Sequence, residues 1–304
     1  MDASNIESFN AAAMETVNAM PAPTWHRLRV NNEKIALPDG LEASSDIEFE
    51  IDNIELGESG AFDAAFSTFQ HKLDARNEGK VDTRAVVVAA GGDVNPENLD
   101  IPALSSYQRK AVLEEIENSV SNAFETGMGT EAFAYLESVS DGHLVLVAPE
   151  NVIGGATVRI PAKDGIANAA CVDVVAAPHS NVSLTISFEG SSGGSGFAGC
   201  GLRVFAGVGA EVEVSSIQAL DGCWTVFDDS GYVLDDDAHV AVTHRVLGAD
   251  SASTGLSADL RGNQSRIDVA TRYLGSGKQK RDFNYLIKQR GCSTESNLDA
   301  NGVL

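Results

Sequence analysis

The sequence predicts a mainly β protein, a parallel β-solenoid preceded by a smaller mixed α/β domain, and three observations carry that prediction. Short β-branched runs alternate with Gly, Asn, Asp and Ser from His143 to the end. Glycine is redistributed along the chain, with 8 of the 29 before residue 140 and 21 after it. A motif of the form Ala/Ser-x-apolar-x-apolar also recurs. It reads Ala156-Thr-Val158-Arg-Ile160, Ser180-Asn-Val182-Ser-Leu184, Ala210-Glu-Val212-Glu-Val214, Ala238-His-Val240-Ala-Val242 and Ser265-Arg-Ile267-Asp-Val269. Its first apolar residues, at 158, 182, 212, 240 and 267, are separated by 24, 30, 28 and 27 residues. A stacked coil buries its inward residues only against the coils above and below, so the pattern must return once per coil. Cys171–Val174, Trp224–Phe227 and Tyr285–Ile287 supply further short strands between the motifs, giving two strands per coil.

The elements follow in order. Ser4 to Met20 is rich in Ala, Met and Glu and is stopped by Pro21 and Pro23, which predicts an N-terminal helix. Phe62, Phe66 and Phe69 mark one face of a second helix. Val86–Ala90 before Gly91-Gly92 reads as a buried strand. Ser105–Glu125 reads as an amphipathic helix with Val112, Leu113, Ile116 and Val120 on its apolar side. Ala132–Glu137 forms a short helix before Gly142. The composition shift divides the chain into residues 1–140, a mixed α/β domain, and 141–304, the solenoid.

Composition excludes several classes. At 304 residues the chain can bury a sizeable core, and 43% hydrophobic with 21% charged residues is ordinary for a globular protein. No apolar run reaches the roughly 18 residues of a membrane span, and residues 1–7 show no basic segment followed by an apolar one. The net charge of −23 argues against nucleic acid and anionic membranes as partners. It is uneven: −18 over residues 1–150, −9 over 151–260 and +4 over 261–304. The acidic first half reads as a solvated surface. Cys171, Cys200, Cys223 and Cys292 are scattered without a CxxC pair, which suits a reducing, cytoplasmic setting.

Candidate chemistry thins out on inspection. The glycine run Gly190-Ser-Ser-Gly-Gly-Ser-Gly196 has neither a following helix signal nor a closing Lys-Ser/Thr, so it reads as a flexible loop. Leu274-Gly-Ser-Gly-Lys278 lacks the first glycine of a phosphate-binding loop, since Arg272 stands there, and Gln279 replaces the magnesium-binding hydroxyl. Asp228-Asp229 and Asp235-Asp236-Asp237, flanking Gly231, read first as turn formers and lack the alternate spacing of a calcium loop. His239 and His244, five apart on one strand, fall on opposite faces, which disfavours joint metal ligation. Cys171, Cys200 and Cys223 have the chemistry of soft ligands or persulfide carriers, but a lone Cys in an apolar strand is more often a buried thiol. No Ser-His-Asp set is assignable from sequence. No catalytic residue, no metal ligand and no cofactor-binding residue is therefore assigned.

Two stretches then carry a family resemblance. Tyr273-Leu-Gly-Ser-Gly-Lys-Gln279-Lys-Arg-Asp282-Phe-Asn284-Tyr285 and Thr294-Glu-Ser296-Asn297 resemble the core of the SufB/SufD family of SUF iron–sulfur cluster assembly proteins, closer to SufD. Asp259-Leu-x-Gly262, Thr24-Trp25-His26-Arg27-Leu28 and Asp141–Pro149 fit the same pattern, although only residues 255–304 are specific. The resemblance implies a right-handed parallel β-helix after a mixed N-terminal domain. It also implies a non-enzymatic scaffold that pairs with a SufB-type subunit and an ABC-type ATPase, SufC, in cluster assembly or iron acquisition. No tightly bound cofactor is expected, only a transient iron–sulfur cluster or persulfide in the full assembly. The chain departs from the family where Lys280 and Gln289 replace usual histidines. Relatives also continue beyond residue 304, through more coils and the ATPase-docking helices. The expectation is thus a β-helix truncated at its C-terminal end, covered there by a SufB-type subunit or a second copy, and binding the ATPase weakly. The alternative reading is a β-helix carbohydrate-active lyase or hydrolase using Asp228, Asp229 and Asp235.

Overall fold

The computed structural model describes residues 14–17, 33–36, 40–44, 46–77, 123–190 and 192–303. Its body is a β-solenoid of six coils, each contributing one strand to each of two parallel sheets. The first sheet holds β6 (His143–Ala148), β8 (Ile166–Ala176), β10 (Gly194–Ala206), β12 (Gly222–Leu234), β14 (Ser251–Leu260) and β16 (Lys280–Gln289). The second holds β7 (Ile153–Ala162), β9 (Asn181–Gly190), β11 (Glu211–Gln218), β13 (His239–Val246), β15 (Arg266–Leu274) and β17 (Glu295–Val303). Pairing between successive coils is parallel throughout.

The register confirms the repeat and corrects its first step. Val182, Val212, Val240 and Ile267 lie in one row. The residue opposite Val182 in the first coil is Gly154, not Val158, which sits opposite Ile186. Ala156, Val158 and Ile160 do point into the core, so the motif matched in phase but four residues out of row. Along the second sheet the rows run Ile153, Asn181, Glu211, His239, Arg266, Glu295, in steps of 28, 30, 28, 27 and 29.

One corner of each coil is fixed by a left-handed residue. Asn151, His179, Gly209, Asp237, Gln264 and Ser293 have φ of 60°, 60°, 61°, 57°, 58° and 57°. Each stands two residues before the row just described. Five of the six are not glycine, a conformation that normally costs side-chain-bearing residues about 1 kcal/mol and is offset here by the stacking of like turns. In that stack Asn263 N–H donates to Asp236 Oδ1 (2.7 Å) and Cys292 N–H to Asn263 Oδ1 (2.9 Å).

Elements before residue 140 close the first coil and cover one sheet. β4 (Glu48–Asp52) and β5 (Glu55–Leu56) pair antiparallel with β7 and β6, and β3 (Glu42–Ser44) pairs parallel with β8. The helices α1 (Ala61–Asn77) and α2 (Thr130–Val139) lie on the outer face of the first sheet. Phe62 and Phe69 are buried there with Val175, Phe205 and Val233, as the phenylalanine spacing predicts. The predicted helix over Ser4–Met20 does not hold where it can be compared. Met14–Val17 is a strand, β1, paired antiparallel with β2 (Glu33–Ala36), and Thr16-Val17 is β-branched. Val86–Ala90 and most of Ser105–Glu125 lie outside the described residues, while 123–125 are not helical. The glycine run is also only partly loop. Gly194-Ser195-Gly196 begins β10, and a Cβ on Gly194 would meet the ring of Trp224 at 2.9 Å.

Candidate functional site

The motif-bearing residues of the last coils point outward from the first sheet and hold a strap formed by residues 123–129. Strand alternation puts Phe283, Tyr285 and Ile287 toward the core and therefore Asn284 and Lys288 on the outer face. Asn284 Nδ2 donates to Gly127 O at 2.7 Å, and Lys288 Nζ meets Glu125 Oε2 at 2.6 Å. Arg261 Nε donates to Asp259 Oδ2 (2.8 Å), Arg290 Nε lies 3.2 Å from Asp259 Oδ1, and Arg261 Nη2 reaches Ala123 O at 3.3 Å. Gly127 N–H donates to Ser230 O at 3.2 Å. The strap lies this close because the strands beneath it lack side chains: a Cβ on Gly231 or Gly255 would overlap the backbone of Glu125 or Met128.

Gln279 serves a different purpose. Its Oε1 accepts from Ser276 N–H (3.0 Å) and Arg281 Nη2 (2.9 Å), closing the turn whose Gly277 has φ of 65°. The glycine–glutamine stretch is a corner of the solenoid, not a phosphate cradle.

Further along the same face, Arg203 grips Asp173 with two bonds of 2.7 Å, and His143 Nδ1 lies 3.0 Å from Asp173 Oδ2. His143 Nε2 meets Glu137 Oε1 of α2 at 3.0 Å, and Arg203 stacks 4.5 Å over the Phe62 ring of α1. The Asp173 hydrogen bond raises His143 above its ordinary value, and the bonds to Arg203 and His143 outweigh burial to hold Asp173 low. None of Asp173, Arg203 or His143 was singled out from sequence. Their signal was the coil spacing, since Asp173 and Arg203 are directly paired in neighbouring strands, one coil apart.

Inside the solenoid a polar group interrupts the aliphatic core. Ser216 Oγ donates to Asp228 Oδ2 at 2.6 Å, His244 Nε2 lies 4.0 Å from that oxygen, and Tyr285 OH lies 3.3 Å from His244 Nδ1 and 2.6 Å from Thr271 Oγ1. Cys200 is opposite Asp228 in the adjoining strand. Burial drives His244 below its ordinary value, so it is neutral at pH 7, and pushes the Cys200 thiol well up.

The sequence-predicted residues separate accordingly. Asp228 and Asp229 are not turn formers: both lie within β12, on opposite faces, and Gly231 is mid-strand. Asp235 sits at the coil corner, bound by Lys72 at 2.7 Å. His239 is outward and bonded to Asp268 (2.8 Å), while His244 is inward, as the alternation predicts. Cys171 and Cys200 are buried, with Cys171 raised to about 11 chiefly by burial, whereas Cys223 and Cys292 are exposed. Cys223 therefore departs from the expected buried thiol, because it lies near the corner where β12 begins. Among the described residues, no three His, Cys, Asp or Glu side chains are placed to hold a metal ion, and no helix is long and apolar enough to cross a membrane.

Residues 159–304 match the family model described as SUF system FeS cluster assembly, SufBD core domain. Residues 159–304 are a core domain of the SufB/SufD family. No curated protein and no solved structure gave a match. The SufBD core begins within β7 and takes in every later coil, so the strap-holding residues Asp259, Arg261, Asn284, Lys288 and Arg290 all belong to it. The same membership supports a role in SUF iron–sulfur cluster assembly.

Proposed function

We propose that this chain is a non-enzymatic, SufD-like scaffold subunit of the SUF machinery. It pairs with a SufB-type subunit and works with the SufC-type ATPase, with the iron–sulfur cluster or persulfide as cargo rather than a resident cofactor. The observation that carries the reading is the SufBD core match laid over five of the six coils. The dispersal of the acids supports it. A polysaccharide lyase or hydrolase needs its carboxylates around one bond, and Asp228, Asp229 and Asp235 face the core, the strap and a lysine respectively. The buried thiols of Cys171 and Cys200 are poor thiolates, which disfavours them as free-standing sulfur carriers.

Co-expression with a SufB-type subunit and the ATPase, followed by affinity capture of this chain, tests the proposal. Stoichiometric recovery of the SufB-type subunit is the expected result. Failure to recover it, or cleavage of pectin-type polymers at enzyme-like rates by the purified chain, overturns the reading.

A further inference from the structure

Among the described residues, Asp229 is the strap contact that puts a carboxyl group into a dry site. It is fully buried on the outer face of β12, where Oδ1 accepts from Met128 N–H at 2.8 Å. Oδ2 has no hydrogen-bond partner among the described residues. A carboxylate with an unsatisfied buried oxygen is costly, and the usual relief is to take a proton. Elsewhere the strap is held by bonds that do not depend on this group: Asn284 to Gly127 O, Gly127 N–H to Ser230 O, and Lys288 to Glu125.

We propose that the strap over residues 123–129 is a proton-linked cover, docked on the glycine-floored face of β12 and β14 while Asp229 is a neutral acid and loosened when Asp229 ionises. Burial raises this carboxyl to about 7, opposed by the bond from the Met128 amide and by the nearby dipoles of the Thr126 hydroxyl and the Gly127 amide, and the charge of Asp228 adds to the rise. The charged and titratable groups on the elements packed about it are mostly committed elsewhere. Glu125 of the strap is held by Lys288, Arg203 of β10 by Asp173, and Asp259 of β14 by Arg261 and Arg290. Cys171 of β8 receives the Ser140 hydroxyl. Asp282 of β16 and Glu131 in the first turn of α2 are further acids on the packed elements, and negative charge acts in the same direction as Asp228.

The sign follows from linkage. A carboxyl whose pKa is higher in the docked than in the loosened state favours docking at low pH, and that advantage is lost as pH rises through 7. With an ordinary carboxyl of 3.8 in the loosened state, protection of the Gly127 and Met128 amides should fall about thirty-fold between pH 5.5 and 8. Hydrogen exchange on the full chain, corrected for intrinsic rates, measures this directly. Asp229→Asn keeps an acceptor for Met128 and cannot ionise, so its protection should be flat over the same range. Flat protection in the unsubstituted chain, or the same slope in Asp229→Asn, overturns the proposal. Should the variant not fold, carbon-13 titration of Asp229 in the unsubstituted chain decides: a midpoint near 7 supports the cover, and one below 5 overturns it.

Discussion

The two sheets of the solenoid share coils, register and core, yet their outer faces have opposite fates. The central strands of the second sheet alternate, so that β11 and β13 bury every second residue and expose or half-expose the others. The central strands of the first sheet are buried nearly throughout: β8 and β14 bury all but their first residue, and β12 all but three positions near its start. The difference is chemical rather than topological. The first sheet places Gly199, Gly201, Gly231 and Gly255 on its outer face, where Leu136, Phe133, Glu125 and Met128 press against them. The second places Ser183, Thr185, Glu213 and Thr243 there. A parallel sheet covered on both sides reads as continuous burial, one facing water as alternation. One solenoid displays both.

The sharpest way to break this contrast is to remove an arginine from each face. Arg203→Met leaves Asp173 buried without its bidentate partner and should cost about 3–5 kcal/mol in denaturant unfolding. Arg245→Met on the second sheet, exposed and bonded to Ser215 at 2.5 Å, should cost under about 0.5 kcal/mol. Equal losses would mean that the covered face is not a second core.

Gly231→Ala comes next. Its methyl would meet the Glu125 carbonyl and the Phe124 ring, so the strap must lift, at a cost of about 1–3 kcal/mol. A chain unchanged in urea midpoint would show that the strap yields freely.

The smallest effect separates two histidines. His143, raised by Asp173 on the covered face, stabilises the fold at low pH, and that contribution is lost as pH climbs through its folded value above 6.5. His244, lowered by burial in the core, acts in reverse: its contribution is present above 6.5 and is lost as pH falls below it. Proton NMR titration should place the His143 midpoint above that of His244, and the reverse order would refute both assignments.

The solenoid was legible because its core positions are β-branched and repeat. Val182, Val212, Val240 and Ile267 occupy equivalent places, and sequence spacing alone finds them. The covered face was not, because its signals imitate turns. Gly231 between aspartates looks like a bend, yet it is a strand residue whose missing side chain admits the strap. Asp229 looks like a turn former for the same reason. The strap-holding residues reach partners more than a hundred positions away, as Lys288 does to Glu125, and no local pattern encodes such a pairing.

The left-handed corner also sets where this architecture tolerates change in length. From the second-sheet row to the next first-sheet row the chain takes 14, 16, 14, 12 and 14 residues, through Ile153 to Ala167, Asn181 to Phe197, Glu211 to Thr225, His239 to Ser251 and Arg266 to Lys280. The return leg through the left-handed residue varies by only one, between 14 and 15, from Ala167 to Asn181, Phe197 to Glu211, Thr225 to His239, Ser251 to Arg266 and Lys280 to Glu295. The molecule thus has a stiff hinge side and a slack side, like a bound book whose pages differ in width but share one spine. Grafted loops, tags or epitopes belong on the slack edge, near residues 192–193 or 219–221. The same insertion between Asp235 and Ala238 would throw every later coil out of phase.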